Sequence, residues 1–166
     1  NELSIDNRIV VLAEDVWGLF SDDSSNIFNI IDNDIPQISI LNPNPFPDYN
    51  EHDSLTVSWE ATDNIGLDSI QIYYSNDNGS NFLLMGSVGA SLDGFSFVIP
   101  PGVSESALVK LIVKDFAGNE GEGTSETFAV ADNTPPVVNI SILENGLTGE
   151  LFDISWEADD NSGLRS

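Results

Sequence analysis

Apolar and polar positions alternate along most of this chain. Leu55, Val57, Trp59 and Ala61 are separated by Thr56, Ser58 and Glu60, and Val109, Leu111 and Val113 fall out of step with Lys110 and Lys114. Ile38 and Ile40 alternate with Gln37 and Ser39, and Phe95, Phe97 and Ile99 form a further run. A period of two places one face of each segment against a core and the other in solvent, which is the pattern of a half-buried strand. The pattern predicts strands near 36–41, 54–61, 68–75, 81–87, 94–99, 107–115 and 124–131. Between them lie turn-forming residues: Asn42 to Pro45, Asp63 to Gly66, Asn76 to Gly79, Pro100 to Gly102 and Ala117 to Asn119. No segment carries a helical stripe. Seven short alternating strands in about 100 residues predict an all-β, immunoglobulin-like sandwich of two antiparallel sheets. Trp59, on the inward face of the second strand, is the expected core anchor.

The pattern also repeats. SWEATDNIGLDS at 58–69 returns as SWEADDNSGLRS at 155–166, with nine of twelve positions identical. Asp15, Gly18, Ser25, Phe28, Asp32, Asn33, Pro36 and Ile40 return as Asp115, Gly118, Ser125, Phe128, Asp132, Asn133, Pro136 and Ile140, a spacing of 100 residues. The spacing falls to 97 between Trp59 and Trp156, and the three-residue shortening lies in the proline-rich stretch Asn42 to Asp53. Self-similarity at a fixed period marks an array of domains. The expected division is residues 1–34 as the C-terminal half of one immunoglobulin-like repeat, 35–134 as a complete repeat, and 135–166 as the N-terminal part of a third. This reads as a window on a longer tandem chain. Completion of the half-repeats by identical chains in a filament is the alternative arrangement, although the two ends together fall short of one repeat.

Charge narrows the partners. Four Lys and Arg stand against 28 Asp and Glu, a net charge of −24. Phosphate recognition needs clustered cations, so nucleic acid is not an expected partner, and neither is an anionic membrane surface. Such a surface attracts metal cations, calcium above all. The chain has no cysteine for disulfides or thiolate ligands, and no apolar run approaches the roughly 20 residues of a membrane span.

Three segments carry a family likeness: SWEATDN with Gly66 and Leu67, LVKLIVKDFAGNEG at 108–121, and the boundary Asp132-Asn133-Thr134-Pro135-Pro136. Together they resemble the bacterial immunoglobulin-like domains that occur in tandem in secreted and cell-surface proteins. The boundary Ile31-Asp32-Asn33-Asp34-Ile35-Pro36 is locally similar to the calcium-binding linker of cadherins. The resemblance implies an extracellular or cell-surface setting and neighbouring repeats as partners. It does not specify a ligand, because such domains serve in adhesins, surface layers, filaments and secreted enzymes.

Calcium takes six to eight oxygen ligands from carboxylates, amides and backbone carbonyls. In a sandwich, the turns after the second and sixth strands meet at one end, which would bring Asp63 and Asn64 beside Asp115 and Asn119. The linker would add Asp32, Asn33 and Asp34, or their counterparts Asp132 and Asn133; Asp15 and Asp160 are the equivalents of Asp115 and Asp63. An opposing reading stands beside this one: Asp and Asn suit tight turns because they bond to nearby backbone amides, with no ion involved. Asn119 is matched by Leu19 and Asp34 by Thr134, so the joints are not identical. Asn78 and Asn139 head Asn-X-Ser sequons and are candidate glycosylation positions.

Catalysis finds little support. His52, the one histidine, lies in a polar loop near Ser54, and reads as a solvated side chain rather than part of a nucleophile pair. The expected role is structural and non-catalytic: a stalk, adhesin shaft or filament segment with proline-stiffened joints. A carbohydrate-binding or adhesive module, binding a surface glycan or protein, is the alternative. It needs a row of exposed aromatics, for which Tyr73, Tyr74, Tyr49 and Phe46 are the candidates.

Overall fold

The computed structural model describes residues 4–45, 49–142, 148–149, 151 and 154–165. Every regular element among them is a strand: β1 (Ser4–Asn7), β2 (Val10–Glu14), β3 (Phe20–Ser24), β4 (Phe28–Ile30), β5 (Gln37–Asn42), β6 (Tyr49–Asn50), β7 (Ser54–Thr62), β8 (Leu67–Ser75), β9 (Leu83–Gly89), β10 (Gly94–Val98), β11 (Ser104–Asp115), β12 (Glu120–Thr124), β13 (Phe128–Ala131), β14 (Val137–Ile142) and β15 (Ile154–Asp159).

Two sheets enclose the core between residues 37 and 131. One has the order β10-β7-β5; the other runs β6-β13-β11-β8-β9, with β12 also paired to β11. All pairings are antiparallel except that of β6 with β13. The alternation explains why these segments pack as they do. Leu55, Val57 and Trp59 of β7 point inward, and Ile70, Ile72 and Tyr74 of β8 with Val109, Leu111 and Val113 of β11 meet them from the other sheet. Tyr74 touches Phe97 edge-on across the sandwich, with ring centres 5.9 Å apart. Burial of each such side chain contributes about 1.5–3 kcal/mol, which makes this layer the principal source of stability. The architecture is the expected immunoglobulin-like β-sandwich.

Two local features differ from the sequence reading. The strand expected at 124–131 is found only as β13, and a separate strand, β12, precedes it from Glu120; between them the Ser125 hydroxyl accepts the Val109 amide at 3.0 Å and donates to the Glu126 carbonyl, interrupting the ladder. The short strand β6 went unread. It pairs with Val130 and Ala131 and seats Tyr49 against Phe128 at 5.0 Å.

The flanking segments form strand pairs: β2 with β3, β1 with β4, and β14 with β15. Their local bonding copies that of the sandwich. Ser25 accepts the Ile9 amide at 3.0 Å, as Ser125 accepts that of Val109. The main-chain bonds of the Asp15 turn repeat those of the Asp115 turn. The tryptophans differ sharply, with Trp59 3% exposed and Trp156 67%. No second sheet among the described residues covers β15, so its inward face lies open. Trp17, in the turn between β2 and β3, is 84% exposed.

Candidate metal centre

Two turns and a linker converge at one end of the sandwich. In the turn after β7, Asp63 Oδ2 accepts the amides of Ile65 and Gly66, both at 2.9 Å. In the turn after β11, Asp115 Oδ1 accepts the amides of Gly118 and Asn119 at 2.6 and 2.8 Å. The Phe116 amide donates to the Gly66 carbonyl at 3.3 Å and ties the turns together. This is the meeting of second and sixth turns expected from the strand pattern.

Glycine delivers the linker. A Cβ at Gly121 would stand 2.0 Å from the Pro36 carbonyl oxygen, and one at Gly123 would stand 3.0 Å from that of Ile38. The backbone entering β5 therefore lies directly on β12, and only residues without a side chain permit that approach. Asp32, just upstream, is carried in beside the two turns. One carboxylate oxygen from each of Asp32, Asp63 and Asp115 then lies within 4.8 Å of the others. Asp115 is 2% exposed, and Asp32 and Asp63 are half-buried.

The hydrogen bonds around this cluster are incomplete. Asn64 Nδ2 donates to Asp32 Oδ1 at 3.2 Å and to Asp34 Oδ2 at 2.8 Å. Asn119 Nδ2 donates to Asp115 Oδ2 at 2.7 Å and to the Asp32 carbonyl at 3.5 Å. Burial works against ionisation of Asp115, but the bonds from the Asn119 side chain and backbone, with those from the Gly118 and Ala117 amides, outweigh it and hold the carboxyl below its ordinary range. Asp32 Oδ2 and Asp63 Oδ1 are shielded from water and have no hydrogen-bond partner. Turn chemistry accounts for the bonds Asp63 and Asp115 make to their own backbones. It leaves these two oxygens unexplained, and a buried, unpaired carboxylate oxygen is costly. Among the described residues no Lys or Arg neutralises the cluster; Lys114, nearest in sequence, pairs outward with Glu120 at 3.1 Å. The donor set is oxygen alone, and its span matches two ligands on opposite sides of a calcium ion, roughly 5 Å apart.

The other candidate positions fall elsewhere. Asn33 and Asn133 are exposed, with no side-chain hydrogen bond among the described residues. Asp15 lies in the exposed β2–β3 turn, where it accepts the Trp17 and Leu19 amides. Asp132 and Asp160 belong to a second joint, downstream. There Asp132 Oδ1 accepts the Thr134 amide at 2.8 Å, and its Oδ2 accepts the Ser162 hydroxyl. That hydroxyl, with the Thr134 amide, holds the Asp132 carboxyl below its ordinary range against the opposing effect of burial. Asp160 Oδ1 accepts the Ser162 amide at 2.9 Å and shares the single Ser162 hydroxyl proton with Asp132. The residue that closes this joint was not among the candidates. Glu51 is wholly buried; its Oε2 accepts the Gly102 amide at 2.8 Å, and its Oε1 accepts the Thr134 hydroxyl at 2.7 Å and Asn161 Nδ2 at 2.5 Å.

His52 has an exposed side chain, its Nδ1 standing 4.0 Å from Glu51. Tyr74 is buried, and burial pushes its hydroxyl up to about 12. Tyr49 packs into the core, Tyr73 is half-buried with its hydroxyl on Gln71, and Phe46 lies outside the described residues. The three described tyrosines therefore do not form an exposed row. Asn78 occupies an exposed turn with φ of 56°, and Asn139 lies exposed on β14, opposite Glu157.

The strands define the class of the central segment: an immunoglobulin-like β-sandwich module, flanked upstream by two further strand pairs and downstream by one. No protein family matches the chain, and no curated protein does. Among solved structures, the fibronectin(III)-like modules of Clostridium thermocellum CbhA are similar at 12% sequence identity and a TM-score of 0.49. The alignment covers 76% of this chain and 64% of that one, so the chain spans less than two thirds of its length.

Proposed function

We propose that this chain is a structural, non-catalytic segment of an extracellular tandem-repeat protein, a stalk, adhesin shaft or filament, in which immunoglobulin-like units are joined by stiff acidic linkers and calcium rigidifies the joint at Asp32. The observation that carries this reading is the convergence of Asp32 from the linker with Asp63 and Asp115 from the sandwich, two of their buried oxygens lacking a partner. A cation there draws on both sides of the joint. Asp32, Asp63 and Asp115 supply carboxylate oxygens, and the Asn64 and Asn119 amides, turned to present Oδ1, would add neutral ones. Binding converts mutual repulsion among carboxylates into shared attraction and fixes the linker against the unit that follows.

The repetition of local bonds at Ser25 and Ser125, and at Asp15 and Asp115, supports reading the flanks as parts of like units. The net charge of −24 suits a setting with abundant external cations. Thermal unfolding tests the proposal. Calcium at about 100 times its dissociation constant should stabilise the chain by about 2.7 kcal/mol over the same chain in EDTA. Scattering should show a narrower distribution of end-to-end distances with calcium. Identical melting and scattering in the two conditions would remove the ion from the account.

A further inference from the structure

The downstream joint contains a different device. Its turn, Asp160-Asn161-Ser162-Gly163, corresponds in sequence to Asp63-Asn64-Ile65-Gly66, and its linker carries Thr134 where the upstream one carries Asp34. Both changes put a hydroxyl in place of a group that cannot donate a hydrogen bond. Ser162 donates to Asp132 Oδ2, the atom whose upstream counterpart, Asp32 Oδ2, has no partner. Thr134 donates to Glu51, and Glu51 takes the side-chain amide of Asn161, the role that Asp34 fills for Asn64 upstream.

We propose that Glu51 is the receptor by which the sandwich grips the Asp-Asn-Ser turn of the unit that follows, making the downstream joint a hydrogen-bonded latch that closes without a cation. The inference rests on the tandem reading given above but not on calcium. Glu51 suits the role because bonds from within the sandwich position it. Its Oε2 is fixed by the Gly102 amide, and the loop behind it is tied to the core by bonds from the Glu51 amide to the Ala131 carbonyl at 3.0 Å and from the His52 amide to the Ile99 carbonyl at 3.0 Å. Only Oε1 faces the joint, and it receives donors from both the linker and the following turn. Bonds to a charged acceptor are the stronger kind, and two converging donors on one oxygen set the angle as well as the distance. The partner this joint accepts is a turn whose asparagine amide reaches Glu51 while the hydroxyl of the next residue bonds to Asp132 of the linker. Asp63-Asn64-Ile65 offers only the amide.

The test is 15N relaxation of the 166-residue chain in EDTA, comparing β14 and β15 with the sandwich strands. The wild-type pair should tumble with the sandwich. Asn161→Ala combined with Ser162→Ala should release it, shortening its correlation time while the melting temperature of the sandwich is unchanged, since both side chains lie outside its core. Glu51→Gln should release it in part, because the single amide oxygen, held by the Gly102 amide, leaves an NH2 donor facing Thr134 and Asn161, and a bond to Asn161 survives only if that side chain turns its Oδ1 toward it. Independent tumbling of β14 and β15 in the wild type, or undiminished coupling in the Asn161/Ser162 variant, would overturn the latch. Calcium added to the same samples reads the upstream joint separately. An absent response around Asp32 would count against the calcium proposal and leave the latch standing.

Discussion

At the upstream joint Asn64 bonds to Asp34 and Asp32 of the linker; at the downstream joint its counterpart Asn161 bonds to Glu51 of the preceding sandwich. The two begin from nearly the same phrase, Asp-Asn before a proline and Asp-Asn-X-Gly after a strand. They differ in whether the linker aspartate finds a donor. Asp132 is satisfied by a backbone amide and a hydroxyl, whereas Asp32 keeps one oxygen bare beside two more carboxylates. On the proposed reading, two side chains, at positions 34/134 and 65/162, separate a joint that would take a cation from one that closes on hydrogen-bond donors.

The comparison breaks first at Gly121. Gly121→Ala would drive a methyl into the Pro36 carbonyl, which lies 2.0 Å from the new Cβ, and the linker would have to lift. Overpacking of this kind costs about 1–3 kcal/mol, and here it should also abolish the calcium-dependent rise in melting temperature, because Asp32 is displaced. Differential scanning calorimetry with and without calcium reads both effects. A variant as stable and as calcium-responsive as the wild type would show that the linker does not depend on this contact.

A smaller change should convert one joint toward the other. Asp34→Thr with Ile65→Ser gives the upstream joint the hydroxyls of the downstream one. Asp32 then gains a donor, and one carboxylate leaves the neighbourhood of the cluster. The chain in EDTA should gain about 0.5–1.5 kcal/mol, the net worth of an added hydrogen bond, while its response to calcium falls. Chemical denaturation in the two conditions measures this; an unchanged calcium increment would mean that residues 34 and 65 do not set the difference.

Much of the frame was legible in the sequence because period-two alternation is dictated by the pleat itself. Leu55, Val57 and Trp59 had to share a face, and the strands they predicted are the strands found. The meeting of Asp63 with Asp115 was legible too, since it follows from strand order and turn position. Glu51 was not, for a physical reason. It lies in the stretch where the repeats differ in length, so no counterpart marks it, and nothing in its neighbourhood signals that a carboxylate will be wholly buried. The break at Ser125 was hidden likewise, because a serine in a strand looks like any outward polar residue until its hydroxyl takes a ladder amide. Asn33 and Asn133 show the converse: adjacency to an aspartate in sequence does not bring a side chain into its site when the linker is extended.

Calorimetric titration of the wild-type chain and of Asp63→Asn with calcium addresses the upstream centre most directly. The wild type should bind with a stoichiometry that falls by one ion per chain in Asp63→Asn, since the variant removes one of the three converging charges while keeping an acceptor for the Ile65 and Gly66 amides. Absence of binding heat in the wild type, or identical isotherms for the two chains, would contradict the assignment of a cation to Asp32, Asp63 and Asp115.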